Sequence, residues 1–382
     1  MRESKRTASY CFMFIAAGFI SGALGPSLIY LTELVSASLT DIATVFTARA
    51  LGNMIGALIA GSALDRIKGH HFIGSMLILA VISVAIVPFA SSLTSLLIIF
   101  AVMGFAEAAI NTGGNLMMLW LHRDQAGSAV SLLHLCYSLG NMIAPLILIF
   151  GAWLTGSYGM GYGLIALYSL IFPFVLLRQK SPTFNRKENT GRLQIFSPVF
   201  YACFLFFIFL YVGFEITIAG WISSYAQLIG INATQAALLV TWFYVALSSG
   251  RLLSVPLLHK IKLTGLIGGL LSLCIVSTIL LNIQVLPLTL VVMLLGLSCS
   301  ALFPMVFTYA NKHMSFTGKL TGFTFVCCGL GAMIVPSLTG PLIGNLGAHI
   351  YPITLLVLSL LLSVSWITLN RLQTRHLIKH PN

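Results

Sequence analysis

Apolar residues fill long stretches of this chain, and short polar breaks separate them. The stretches cover 8–32, 40–64, 71–91, 94–121, 127–154 and 160–177, then 197–226, 233–258, 263–283, 286–310, 318–343 and 349–370. A helix rises about 1.5 Å per residue, so a bilayer core about 30 Å thick needs roughly 20 apolar residues. Each stretch meets that length, or comes close enough to cross. The pattern predicts an all-α membrane protein of twelve transmembrane helices, with the lipid bilayer as its surroundings.

The longest polar segment, Arg178 to Gln194, holds five basic residues and Pro182 and divides the spans six and six. The expected organisation is an amino-terminal six-helix bundle at 1–177, a cytoplasmic linker at 178–195, and a carboxyl-terminal six-helix bundle with a short tail at 196–382. Internal similarity supports two related halves. A shift of 194 residues lays Thr40, Thr47, Gly56, Leu64, Ile67 and Lys68 on Thr234, Thr241, Gly250, Leu258, Ile261 and Lys262. A shift of 191 lays Leu139-Gly140-Asn141-Met142-Ile143-Ala144-Pro145 on Leu330-Gly331-Ala332-Met333-Ile334-Val335-Pro336. Span two thus repeats as span eight and span five as span eleven. Six spans later the chain crosses in the same direction, so the halves are parallel repeats, suited to rocking about a central site.

Composition agrees: 58% of the 382 residues are hydrophobic and 7% are charged, where a soluble domain carries about a quarter charged. The net charge of +12 raises the question of a nucleic-acid partner, and the placement of the charges answers it. All Lys and Arg except Arg49 and Arg251 fall on one side of the twelve-span arrangement, whereas Ser91–Ser95, Thr155–Gly159 and Gly344–Ala348 on the other side hold none. The positive-inside rule then puts both termini in the cytoplasm, excludes nucleic-acid binding, and fits a multi-pass protein of a bacterial inner membrane. Met1–Thr7 and the run after it have the polarity of a signal sequence, but the run is long enough to span and is read as an uncleaved first helix. All seven cysteines lie in apolar runs without metal-ligand spacing, so they read as packing residues and no metal site is expected. A monomer without cofactor, save a proton or sodium as coupling ion, is the expectation.

Span two ends in Gly61-Ser62-Ala63-Leu64-Asp65-Arg66-Ile67-Lys68-Gly69-His70, then His71. This resembles the major facilitator superfamily signature GxxxD(R/K)xGR(R/K), with one extra residue and histidine in place of the terminal basic pair. The resemblance implies a gate in which Gly61 allows close helix approach, Asp65 meets a helix N-terminus and Arg66 pairs with an acidic or carbonyl partner. Further stretches, Gly22-Ala23-Leu24-Gly25-Pro26, Arg49-Ala50-Leu51-Gly52, Tyr211-Val212-Gly213-Phe214-Glu215 with Gly220-Trp221-Ile222, and Gly250-Arg251-Leu252, are similar to the fucose permease and sodium-dependent glucose transporter branch. That similarity implies the two-bundle major facilitator fold and a sugar-like solute.

Few ionisable groups lie inside the spans, and such groups are functional candidates because lipid penalises them. Glu107 sits near mid-membrane in span four, with Asn111 and Asn115 at i+4 and i+8 on the same face. Under the resemblance Glu107, with Arg49, is the ion-coupling site; in the alternative reading the two form a permanent structural pair. Span one lacks the acid usual in fucose-type permeases and offers only Ser21 and Ser27. Glu215 and Trp221 on span seven suit a sugar, whose apolar face stacks on an indole while its hydroxyls bond a carboxylate. Asn111, Asn115 and His134 complete the candidate substrate set, and Arg251 is assigned to gating.

Neither GxxxxGK[ST], HExxH nor GxSxG occurs, so an ATP-driven pump and an intramembrane enzyme are disfavoured, and no catalytic residue is expected. The sequence therefore points to a secondary active transporter of a small polar solute, by ion-coupled symport. The competing expectation is an exporter of drugs or metabolites, siderophores included, on the same fold.

Overall fold

Backbone groups in lipid find no water, so an apolar run must satisfy its own amides and carbonyls, and it does so as helix. The structure, a computed structural model, describes residues 2–64, 66–122, 126–182, 198–258, 260–313 and 318–379. In chain order the helices are α1 (Arg2–Gly22), α2 (Leu24–Leu34), α3 (Leu39–Ile42), α4 (Thr44–Leu64), α5 (Gly69–Ile86), α6 (Leu93–His122), α7 (Ala126–Thr155), α8 (Tyr158–Ser169) and α9 (Ile171–Leu177). They continue as α10 (Pro198–Leu228), α11 (Ala233–Leu258), α12 (Leu263–Ile283), α13 (Leu288–Cys299), α14 (Leu302–His313), α15 (Gly318–Leu346) and α16 (Ile350–Lys379). No strand occurs among the described residues.

Eleven helical stretches are long and apolar enough to cross a membrane, and the pair α1–α2, bent by 45° at Ala23, makes a twelfth when taken as one span. Several expected spans are broken: α3 from α4 at Ala43, α8 from α9 at Leu170, and α13 from α14 at Ser300 and Ala301. Hydropathy averages over such breaks, which is why the apolar runs did not reveal them. Local chemistry sets the turns. Ser38 and Asp41 form a reciprocal capping box that starts α3. Before α8, Gly156 takes a φ of +76° and Ser157 accepts a hydrogen bond from the Gly159 amide at 3.1 Å.

Packing divides the chain into two compact units, one of Met1–Lys187 with Ala219–Tyr244, the other of Glu188–Ile218 with Val245–Asn382. The later part of α10 and the first part of α11 therefore pack with the amino-terminal helices. In the first unit small residues bring backbones together: a methyl group at Gly52 would collide with the Ala101 carbonyl, and one at Gly104 with the Arg49 carbonyl, so α4 and α6 meet main chain to main chain. Gly18 and Gly140 do the same for α1 and α7. In the second unit Gly331, the repeat counterpart of Gly140, presses on the Phe209 carbonyl of α10. The shared seven-residue sequence thus makes the same kind of helix contact in each unit.

Candidate functional site

Two helices that touch through Gly52 and Gly104 leave their neighbouring long side chains little choice of direction, and here those side chains are opposite charges. Arg49 stands one turn before Gly52 and Glu107 one turn after Gly104. The guanidinium donates through Nε to Glu107 Oε2 and through Nη2 to Oε1, each at 2.9 Å, a two-pronged pair with its closest N–O approach at 2.8 Å. Arg49 Nη2 also donates to Ser21 Oγ at 2.8 Å, which ties the pair to α1. Glu107 is 4% exposed. With so little solvent, each charge depends on the other.

Around this pair lies a polar group from α7. The Tyr137 side chain adjoins Ser21 and Asn141 and is within electrostatic reach of both Arg49 and Glu107. Asn141 is 1% exposed and donates to the Tyr137 carbonyl at 3.0 Å, while its Oδ1 is buried with no hydrogen-bond partner among the described residues. Tyr244 of α11 also reaches Arg49 electrostatically. None of Tyr137, Asn141 and Tyr244 stood out in the sequence. A signal for two of them existed: Tyr137 and Asn141 follow His134 at helical spacing.

The other candidates in this unit take separate places. Asn111 donates to the Glu107 carbonyl at 3.4 Å and Asn115 to the Asn111 carbonyl at 2.9 Å, so the three residues run along one side of α6 with the amides turned back onto the helix. Asn115 Oδ1 is buried without a partner among the described residues. His134 is at an exposed position of α7, its ring edge-on to Phe14 at 6.5 Å. Trp221 is 0% exposed and packs on Phe46 of α4 with ring centroids 6.0 Å apart.

At the signature segment, Asp65 lies outside the described residues, Gly61 lies within α4, and Arg66 is exposed in the turn that follows. His70, standing where the signature has a basic residue, is 1% exposed. Its Nε2 meets the Tyr10 hydroxyl at 2.7 Å and its Nδ1 the Gln179 carbonyl at 2.9 Å. A carbonyl only accepts, so Nδ1 carries a proton. Histidine here joins α1, α5 and the chain leaving α9.

In the second unit, Glu215 of α10 and Arg251 of α11 form a looser pair, Nη2 to Oε1 at 3.9 Å. Arg251 Nε donates instead to the Ser300 carbonyl at 2.9 Å, at the break between α13 and α14. Tyr211 donates to the Cys299 carbonyl at 2.8 Å and lies beside Glu215.

Comparison with known proteins bears on what such a frame is. The profile described as Major Facilitator Superfamily matches residues 10–336. The mouse protein named sodium-dependent glucose transporter 1A is 26% identical over 379 residues, covering 87% of this chain and 88% of the relative. An uncharacterized MFS-type transporter of Bacillus subtilis is 26% identical over 367 residues, covering 91% and 92%. Among solved structures, a nucleoside transporter superposes with a TM-score of 0.80 at 10% identity, over 95% of this chain and 99% of the other. A D-xylose-proton symporter gives 0.74 at 10% identity, over 95% and 97%. The structural likenesses speak to the fold alone.

Proposed function

The chain belongs to the major facilitator superfamily, and from that premise we propose that this multi-pass membrane protein carries a sugar-like polar solute by alternating access, in symport with a proton or sodium ion. The observation that carries the proposal is the buried pair of Arg49 and Glu107 held against Ser21. As a closed pair the two residues carry no net charge, which lipid tolerates. Protonation of Glu107 removes the partner that Arg49 needs and leaves a guanidinium free to donate to solute hydroxyls or to Tyr137. Binding of an ion and of a solute are in this way linked through one arginine.

The relatives named for glucose transport support a sugar-like solute. In this reading the six-helix halves at 1–177 and 196–382 rock about the linker at 178–195. Asn111, Asn115, His134, Glu215 and Trp221 contribute to solute binding, while Gly61, Asp65, Arg66 and Arg251 act in gating. The protein works as a monomer in a bacterial inner membrane; both termini are cytoplasmic, an orientation that the one-sided Lys and Arg distribution supports.

The test is uptake of labelled glucose, fucose, xylose and a nucleoside into proteoliposomes, with an imposed proton or sodium gradient and efflux from preloaded vesicles measured in parallel. Uptake of at least one sugar above empty liposomes, abolished when the gradient is collapsed, is expected. Failure of every sugar with both gradients would overturn the solute class, and efflux alone would favour an exporter.

A further inference from the structure

Serine and threonine inside a helix ordinarily return their hydroxyl to the carbonyl about one turn back. Thr32, Thr278, Thr339 and Ser27 of this protein do so, onto Leu28, Cys274, Val335 and Ala23. Thr241 of α11 does not. Its hydroxyl crosses to α7 and donates to the Met142 carbonyl at 2.9 Å, 99 residues away in sequence, at a position only 9% exposed.

The acceptor lies at a weak point of α7. Pro145, inside the helix, has no N–H to give to the carbonyl of Asn141 four residues back, so the backbone ladder is interrupted beside Met142. Gly22 of α1 approaches that Asn141 carbonyl closely, a Cβ there falling 2.9 Å from the oxygen. On the same segment of α10 and α11, residues 219–244, two further close approaches occur. A methyl group at Gly25 of α2 would collide with the Ala219 carbonyl, and a Cβ at Gly220 would lie 2.6 Å from the Phe46 ring. The ion pairs found among the described residues, Arg49–Glu107 and Arg251–Glu215, do not bridge this seam. The segment is therefore held to α2, α4 and α7 by the Thr241 hydrogen bond, by the packing of Trp221 on Phe46, by Tyr244 within electrostatic reach of Arg49, and by backbone fit. The repeat lays Thr47 on Thr241 and Pro336 on Pro145, so each half carries one copy of the hydroxyl and one of the proline break.

We propose that Thr241 is a positioning residue of the transport cycle: its bond to the Met142 carbonyl holds closed the membrane face that carries the α2–α3 and α10–α11 turns, and its release opens that face. The proposal rests on the alternating-access reading, but its test needs no solute. Ser224 of α10, 0% exposed and one turn beyond Gly220 on the side that meets Phe46, serves as reporter when changed to cysteine. In intact cells, the rate at which a membrane-impermeant maleimide labels Ser224→Cys is compared with that of the protein carrying its native cysteines alone. Adding Thr241→Val, which keeps the shape and removes the donor, should raise the labelling rate about three- to tenfold, the range expected for one lost hydrogen bond. Adding Thr241→Ser, which restores the donor, should leave the rate within about twofold of the parent. If Thr241→Val yields no folded protein, Gly25→Ala wedges the same seam through the Ala219 carbonyl and must raise labelling instead. Unchanged labelling in the folded variant, or equal labelling in the valine and serine variants, overturns the proposal. A labelling response in a protein that moves none of the tested solutes would support the seam while rejecting the solute class. Ion-coupled uptake with unchanged labelling would do the reverse.

Discussion

Among the described residues each unit of the protein holds an arginine–glutamate pair, and the two pairs are built differently. Arg49 and Glu107 meet through two hydrogen bonds of 2.9 Å, with side chains 16% and 6% exposed. Arg251 and Glu215 stand 3.9 Å apart, with side chains 36% and 18% exposed. The difference starts in the backbone. Gly52 and Gly104 let α4 and α6 touch, so the first pair closes across a tight helix contact. In the second unit Arg251 spends Nε on the Ser300 carbonyl at a helix break, and Glu215 has Tyr211 beside it. Burial makes the first pair an all-or-nothing element, since removing one member strands the other charge. Exposure makes the second adjustable, because water can take over for either partner.

The largest effect should come from parting the helices that force the first pair together. Gly104→Val places a branched side chain against the Arg49 carbonyl and should abolish recovery of monodisperse protein in detergent, beyond the roughly 1–3 kcal/mol typical of overpacking. Gly250→Ala, beside Arg251 in the second unit, sets its Cβ 2.4 Å from Ser300 Oγ and 2.5 Å from Ser300 Cβ; the hydroxyl can rotate away but the Cβ cannot, so the helices must shift slightly, at a cost of about 1–3 kcal/mol, below that of Gly104→Val. Size-exclusion profiles and melting curves of the two variants check this. Equal behaviour would mean that backbone contact is not what separates the pairs.

Next comes the charge itself. Glu107→Gln retains size and hydrogen-bonding capacity but leaves Arg49 buried and uncompensated, and should lower stability by about 3–5 kcal/mol. Neutralising Arg49 as well should restore much of the melting temperature, whereas gradient-driven uptake should remain lost and exchange of labelled for unlabelled solute should persist in the single variant. Gradient-driven uptake surviving in Glu107→Gln would leave the pair as scaffold and remove it from coupling.

Trp221→Ala should act at a similar or slightly smaller scale, and through stability first. The indole is 0% exposed against Phe46, so truncation leaves a cavity worth about 3–5 kcal/mol, whereas a lost stacking contact with solute would weaken binding by only about 0.5–1.5 kcal/mol. Thermal melting and isothermal titration on the same preparation separate the two contributions. A weakened affinity with an unchanged melting temperature would place the indole against solute.

The spans were legible because crossing a bilayer is a local property of about 20 residues, readable without tertiary information. The Arg49–Glu107 contact was foreseeable for a related reason: with so few ionisable groups inside the spans, an unpaired one is improbable on energetic grounds. What surrounds the pair was not legible. Ser21 and Tyr137 meet because Gly18 and Gly140 let α1 and α7 cross closely, and nothing in either segment alone states that partner. The bend at Ala23 and the break before Ala301 were likewise hidden by unbroken hydropathy. Trp221 drew notice for its chemistry beside Glu215, yet side-chain type does not report burial, and the ring is fully enclosed, with Phe46 against it.

The smallest stability effect, and the sharpest test of the comparison, belongs to Glu215. At 3.9 Å and partly exposed, its pairing with Arg251 is the kind that contributes about 0.2–1 kcal/mol. Glu215→Gln should therefore leave the melting temperature within about two degrees of the parent and should not need a compensating change at Arg251. If Glu215 takes solute hydroxyls, the same substitution weakens a charged acceptor to a neutral one, which costs roughly 1–2 kcal/mol of binding, the gap between charged and neutral hydrogen bonds. KM should then rise about tenfold while the maximal rate changes little, the signature of lost ground-state binding. The opposite pattern, a large fall in stability with KM unchanged, would show that the second pair holds its helices as firmly as the first, and that its longer distance reflects one arrangement of the side chains and not a weaker bond. Melting curves and uptake kinetics on one preparation decide between these, and high salt offers an independent check. Screening should reduce any contribution of the exposed Arg251–Glu215 pair and leave the buried Arg49–Glu107 pair nearly untouched.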